Sequence, residues 1–355
     1  MSELVQGALR QVLAGDSLSE ESMAAVLGAV MEGGVATELT AGLLCALAMR
    51  GETVEELAGA ARAMRSKVTR VATPDGAVVV DTCGTGGDGA GTFNISTTTA
   101  FVVAACGATV AKHGNRAVSS KAGSADVLEA LQIDVAMEVP GVERCIREVG
   151  IGFLFAQRLH PAMKHAAPVR RALGVRTLFN LVGPLTNPAF ATRQVMGVFD
   201  GGRVEALAEV LGRLGAERAW VVHGDDGLDE ITLTGPTRVA EWHDGAVRTF
   251  EVTPEDAGLT RCTLEDLGGG DAAANAGILK DILSGDDGGP RTDIVLLNAA
   301  AVLVVAELAP DLRTGVDAAR EAIGSGRALK ALAGLVELSG LGDLSALGDS
   351  RGLSG

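Results

Sequence analysis

Four apolar residues, Ala77 to Val80, run straight into DTCGTGGDGAGTFNIS, residues 81–96, which holds five glycines among hydroxyl and amide side chains. A short Val/Ala run bounded by turn residues reads as a buried strand, and Ser96–Cys106 after the glycines reads as a helix. Strand, glycine loop and helix start in that order make one βα unit of a parallel sheet. Its turn suits an anion: glycines let backbone N–H groups close on a ligand, and the first helical turn presents unpaired N–H groups at the positive end of its dipole.

The same alternation continues downstream. Ala77–Asp81, Ala108–Ala111, Gln194–Phe199, Ala219–His223 and Thr237–Glu241 read as strands, with helices at Ser96–Cys106, Ser124–Leu131 and Arg203–Leu214. Strands alternating with helices predict an α/β sheet with mainly parallel strands. Residues 1–70 read as helical instead, with capping boxes at Ser17-x-x-Glu20 and Thr53-x-x-Glu56. Their wide apolar faces suit a core or a dimer interface. Thr253-Pro254-Glu255 reads as a helix start, and Ile294–Ala309, broken by Asn298 and Glu307, as a buried helix. The expected organisation is a small α-helical domain at 1–73 and a large α/β domain at 74–337. Residues 160–188 contribute at the hinge, and 338–355, rich in Gly and Ser, form a mobile tail.

Composition excludes several functions. The net charge of −15 opposes nucleic acid and anionic membranes, and aromatics at 3% leave little to stack on bases. Cys45, Cys83, Cys106, Cys145 and Cys262 form no CxxC or metal spacing, which fits a reducing compartment. The N-terminus lacks a basic n-region and a long apolar h-region, so a cytoplasmic protein is expected.

The glycine loop fits Gly84-x-Gly86-x-x-Gly89, the dinucleotide pattern, which alone is a weak signal. A dinucleotide fold needs an acid for the ribose diol at the end of the second strand. That strand ends instead in Lys112-His113-Gly114-Asn115-Arg116, which suits a polyanion. The Walker A pattern fails as well, since Thr92-Phe93 follows Gly91 where a Lys is required. A second candidate phosphate loop, KHGNRAVSSKAGSAD, offers Lys112, Asn115, Ser119, Ser120 and Ser124. A sugar carrying a pyrophosphate and a monophosphate would span the two loops.

Farther on, a strand ends in His223-Gly224-Asp225-Asp226-Gly227-Leu228-Asp229-Glu230. Mg²⁺ takes a few carboxylates together with phosphate oxygens and water, so Asp229 and Glu230 are candidate ligands, while Asp225 and Asp226 shape the turn. Residues 158–188 carry Arg170, Arg171 and Arg176, any of which could fork onto a substrate carboxylate. No nucleophile–base pair is visible, so no covalent intermediate is expected.

GTGGDGAGTFNIST (84–97), KHGNRAVSSKAGSADVLEAL (112–131), HPAMK…PVRRALGVRTLFNLVGPLTNP (160–188) and VVHGDDGLDEI (221–231) together resemble the anthranilate phosphoribosyltransferase family, in order and spacing. The resemblance reaches from the helical N-terminus to about residue 337. It implies transfer of the phosphoribosyl group from 5-phosphoribosyl 1-pyrophosphate to the amine of anthranilate, a step of tryptophan biosynthesis. It also implies a nucleoside-phosphorylase-like fold, a homodimer formed through the N-terminal helices, and two Mg²⁺ ions per monomer. By motif position, Gly84, Gly87, Asp88, Thr92, Asn94, Ile95, Ser96 and Thr97 would hold phosphoribosyl pyrophosphate from the first loop. Lys112, His113, Gly114, Asn115, Arg116, Ala117, Val118, Ser119, Ser120 and Ser124 would hold it from the second. Ser96, Asp229 and Glu230 would ligate the metal, and Gly84, Asn115 and Arg170 would contact anthranilate. Gln132 departs from the family, which usually has Gly there, as do Gln157 for Pro and Ala172 for an acid. Rival readings are a pyrimidine nucleoside phosphorylase, an NADP dehydrogenase and a non-catalytic, nucleic-acid-binding relative.

Overall fold

The structure is a computed structural model and describes residues 1–117 and 121–340. The expected tail at 338–355 therefore lies, from 341 onward, outside the described residues, as do Val118, Ser119 and Ser120.

Four helices open the chain: α1 Ser2–Leu13, α2 Glu20–Met31, α3 Thr37–Arg50 and α4 Val54–Arg65. The Thr53/Glu56 capping box starts α4 as expected. The Ser17 box does not form. Ser19 caps α2 by accepting the Ser22 N–H, because the hydroxyl nearest the first free N–H takes it.

The α/β part follows with β1 Val79–Gly84, α5 Ile95–Ala105, β2 Thr109–Gly114, α6 Ser124–Ala130, α7 Val139–Val149 and β3 Ile151–Phe155. Short helices α8 Ala156–Leu159, α9 Ala167–Leu173 and α10 Leu178–Val182 lead to β4 Arg193–Gly197, α11 Val204–Arg213 and β5 Arg218–Gly224. The hairpin β6 Thr237–His243 and β7 Ala246–Val252 precedes α12 Ala272–Ser284, α13 Pro290–Val305, α14 Leu312–Gly324 and α15 Arg327–Ser339.

One sheet of seven strands has the order β3-β2-β1-β4-β5-β6-β7. β3 to β5 along that order are parallel; β6 and β7 run antiparallel. The strand read at Thr237–Glu241 thus departs from the parallel rule. Its hairpin turn, Asp244-Gly245, has positive φ at both residues (51° and 77°), which an Asp-Gly pair accommodates. β3 and β7 escaped the sequence reading: β3 is a five-residue strand interrupted by Gly152, and β7 is an edge strand with little buried surface. The expected helix at Thr253 is a single 3-10 turn, Pro254–Ala257, stopped by Gly258 in the left-handed region.

Strand alternation divides the core into two layers. Val195, Trp220, Val222 and Val239 face α5 and α12–α15, while Met196, Val198, Ala219, Val221 and Ala240 face α11 and the N-terminal helices. Helix α13 is buried from Ile294 to Val305, as its apolar run predicts. Ala166, Val169, Leu178, Phe179 and Leu185, between α8 and β4, join the layer of the N-terminal helices.

The chain leaves β1 for β2 and β3 on one side and returns to β4 on the other. Such a reversal opens a crevice at the carboxyl ends of β1 and β4, where ligands of open α/β sheets bind. Gln132 adopts φ 63°, a left-handed conformation glycine takes at little cost.

Candidate active site

The glycine loop occupies that crevice. Gly86, Gly87, Gly89 and Gly91 all have φ between 67° and 80°, so the loop coils through a conformation other residues avoid. The N–H groups of Gly87, Asp88 and Gly89 find no acceptor among the described residues, nor does that of Thr97 in the first turn of α5. Asp88 shapes the loop by accepting the Ala90 N–H. Thr92 pairs with Gly268 as a β-bridge, and Ile95 is buried under the start of α5.

The acidic turn after β5 crosses over β4 to reach β1. Gly197 of β4 and Gly84 of β1 are register partners, and the turn lies on both. The Asp229 carboxylate then accepts the Gly86 N–H at 2.7 Å, and Glu230 accepts the Ser96 N–H at 3.1 Å, at the positive end of α5. Asp226 braces the turn by accepting from Leu228 N–H and the Thr232 and Thr234 hydroxyls. Burial raises the pKa of Asp229, and the Asp88 charge adds to it; burial and then Asp229 raise Glu230. Lys112 is the cation opposite them. Its ammonium is buried, donating to Thr82 O at 2.7 Å and reaching Ser96 Oγ at 3.4 Å.

Asp88, Asp229 and Glu230 crowd their carboxyl groups in the crevice, and the Lys112 ammonium offsets only part of the cost of charging them. A divalent cation would offset the rest, and the donors present, carboxylate and hydroxyl oxygens of Asp229, Glu230 and Ser96, suit Mg²⁺. Among the described residues no three His, Cys, Asp or Glu side chains form a closed cage. An open set of this kind matches a metal that keeps water and substrate phosphate in its shell.

The second loop has a closed neck. Asp126 accepts both the Ala117 and Gly123 N–H groups, at 3.0 and 2.8 Å. Ser124 Oγ bonds the Asn115 N–H and carbonyl, so it positions Asn115. Gly114 lies against Ser124 and Phe153, with no room for a Cβ. Arg116 is engaged by Asp126 and Glu129 and lies 5.5 Å from the Phe155 ring. His113 turns to the opposite face from Lys112, and its Nε2 meets His160 Nε2 at 3.1 Å. Asp81, wholly buried, accepts the His113 N–H and the Asn187 amide, tying β1 and β2 to the 160–188 segment.

The arginines separate by environment. Arg171 is exposed. Arg176 stacks 4.1 Å from Phe199. Arg170 lies 5.3 Å from the Phe179 ring, and burial lowers its pKa with no carboxylate to offset it.

A family model described as "Glycosyl transferase family, a/b domain" matches residues 76–329, and "Glycosyl transferase family, helical bundle domain" matches 6–68. The anthranilate phosphoribosyltransferase of Rubrobacter xylanophilus is 55% identical over 329 residues, covering 93% of this chain and 96% of the relative. The chain belongs to the anthranilate phosphoribosyltransferase family. The crystal structure of the family's Thermus thermophilus member superposes with a TM-score of 0.88 at 47% identity, covering 94% of this chain and 99% of that one. The Saccharomyces cerevisiae member, solved in complex with phosphoribosyl pyrophosphate and Mg, gives 0.86 at 27% identity, with 96% and 98% covered.

Two buried asparagines of this family member escaped the sequence reading as site residues. Asn298 donates to Ile231 O and accepts the Ile231 N–H, pinning the residue after Glu230. Its signal was a polar residue inside an apolar helix. Asn275 carried no such signal, because its helix is only half buried.

Proposed function

We propose that this protein is an anthranilate phosphoribosyltransferase, a pentosyltransferase of tryptophan biosynthesis that moves the phosphoribosyl group from 5-phosphoribosyl 1-pyrophosphate to the amine of anthranilate and releases pyrophosphate. The observation that carries the reading is the crevice between β1 and β4, where unpaired glycine N–H groups face an acidic turn.

The residues divide the work by charge. N–H groups of Gly87, Asp88, Gly89 and Thr97, with Asn94 and Lys112, hold the pyrophosphate as negative charge grows on it. The second loop, from Asn115 to Ser124, takes the rest of the phosphoribosyl moiety. Ser96, Asp229 and Glu230 hold Mg²⁺, with two ions per monomer. When bound, Mg²⁺ neutralises charge on the pyrophosphate oxygens. Arg170, with no acid of its own, receives the anthranilate carboxylate in a fork and aims the amine at C1, beside Gly84 and Asn115. The amine lone pair forms the N–C1 bond, the C1–O bond breaks toward pyrophosphate, and the nitrogen sheds a proton. Since an aromatic amine is neutral at pH 7, no strong base is required.

The working units are residues 1–73 and 74–337, with 160–188 at the hinge. Leu4, Leu13 and Met49 are exposed on the N-terminal helices and support a homodimer through that surface. The enzyme works in the cytoplasm and binds neither membrane nor nucleic acid. No helix of the described residues is long and apolar enough to cross a membrane.

Anthranilate fluorescence tests the reading. Loss of signal that needs protein, Mg²⁺ and phosphoribosyl pyrophosphate together is the expected result. Unchanged fluorescence with all components present would overturn it.

A further inference from the structure

Asn94 stands at the N-cap of α5 yet makes no capping bond with its side chain. Its amide is drawn away from the helix. Asn275, in the first turn of α12 and 2% exposed, donates from Nδ2 to Asn94 Oδ1 at 2.9 Å. Asn275 Oδ1 accepts the Gly270 N–H at 2.7 Å, and Asn94 Nδ2 donates to Ala122 O at 3.2 Å.

The polarity of this chain is fixed at both ends. A backbone N–H can only donate, so Asn275 must turn its oxygen to Gly270 and its NH₂ to Asn94. A backbone carbonyl can only accept, so Asn94 must turn its NH₂ to Ala122. Amide orientations are ordinarily ambiguous, but here each end excludes the flipped arrangement. The Asn94 NH₂ carries a second hydrogen that meets no acceptor among the described residues, at the start of the helix whose Thr97 N–H is also unpaired.

The strap that carries Gly270 is itself laid along the loop. Phe93 N–H donates to Leu267 O, Gly269 N–H donates to Gly91 O, and Arg291 holds Gly268 O. A Cβ on Gly269 would come within 2.6 Å of the Phe93 backbone.

We propose that Asn275 is a positioning residue for the transfer reaction: it locks Asn94 as a hydrogen-bond donor toward the pyrophosphate and couples the glycine loop to the second loop at Ala122. The inference rests on the functional reading above. Asn275 itself touches no substrate.

Asn275→Asp tests it with almost no change in volume. The carboxylate still accepts from Gly270 but cannot donate to Asn94, so the Asn94 amide either meets it oxygen to oxygen or flips and sets its oxygen against Ala122 O, and both orientations unseat the positioned donor. Phosphoribosyl pyrophosphate binding to the full-length protein is measured by calorimetry with Mg²⁺, alongside steady-state kinetics. The expected result is a rise of about tenfold or more in Kd and KM for phosphoribosyl pyrophosphate, with KM for anthranilate changed less than about twofold. The loss should shrink at lower pH, where a protonated Asp donates again. Asn275→Ala, which adds no charge, should move the same constants in the same direction. In an Asn94→Ala background, either change should have little further effect. Wild-type binding with unchanged constants in both variants, or full additivity with Asn94→Ala, would overturn the inference alone. Failure of the wild type to bind phosphoribosyl pyrophosphate would overturn the functional reading and this inference with it.

Discussion

A Cβ on Gly197 would stand 1.5 Å from the carbonyl oxygen of Asp229. The acidic turn can cross the end of β4 only because that strand ends in glycine. The obstacle is backbone, so it cannot swing aside. Gly197→Ala should therefore displace the turn, destabilise the fold by roughly 3 kcal/mol or more, and abolish the Mg²⁺ response. At Gly84 the obstacle is the Asp229 carboxylate, 2.4 Å from the added atom. Gly84→Ala should keep most stability and lose activity. Thermal melts and Mg²⁺ titrations of the pair distinguish backbone from side-chain interference.

Asp229 and Glu230 are held in a crevice that disfavours their charge. Asp229→Asn with Glu230→Gln removes that repulsion. Without metal the variant should gain about 1 kcal/mol in denaturant unfolding, while its activity should no longer follow Mg²⁺ concentration. An unchanged Mg²⁺ titration would remove both residues from the ligand set.

Arg170 is half-buried beside Phe179, with no acid to offset the loss of water. Arg170→Ala should raise KM for anthranilate by about tenfold or more and leave phosphoribosyl pyrophosphate binding near its normal value. Arg170→Lys should restore little, because an ammonium lacks the fork. Loss of phosphoribosyl pyrophosphate binding in calorimetry would assign Arg170 to the other substrate.

His113 and His160 are both kept neutral, chiefly by burial, His160 with its pKa lowered to about 4. The unfolded chain takes up these protons near pH 6.5, and the native protein only well below that. Stability from this source is complete above pH 6.5 and is lost as pH falls toward 4. The His160 share is about 3 kcal/mol when fully developed. Urea unfolding between pH 7.5 and 4.5 should show the decline, and His160→Gln should flatten it.

Gln132 follows α6 in a left-handed conformation. Gln132→Gly should stabilise the protein by about 0.5–1 kcal/mol and leave kinetic constants unaltered. Equal denaturation midpoints would mean that the side chain's own contacts offset the backbone strain.

The glycine loop, the capped helix α4 and buried α13 were legible in the chain because each depends on local physics. Positive φ selects glycine, a helix start leaves N–H groups free, and an apolar run must be buried. Gln132 stood out only against the motif of the family that the chain resembles. Tertiary structure decided the rest. The order β3-β2-β1-β4 placed the crevice and brought the turn after β5 across β4 to Gly84 and Gly86. Alternation along β2 sent Lys112 under α5 and His113 to His160 on the other face. Asn275 meets Asn94 across 181 positions of sequence. A polar side chain in a helix has no preferred partner until packing removes water from around it. Its role is then set by whichever donor or acceptor the fold leaves within reach.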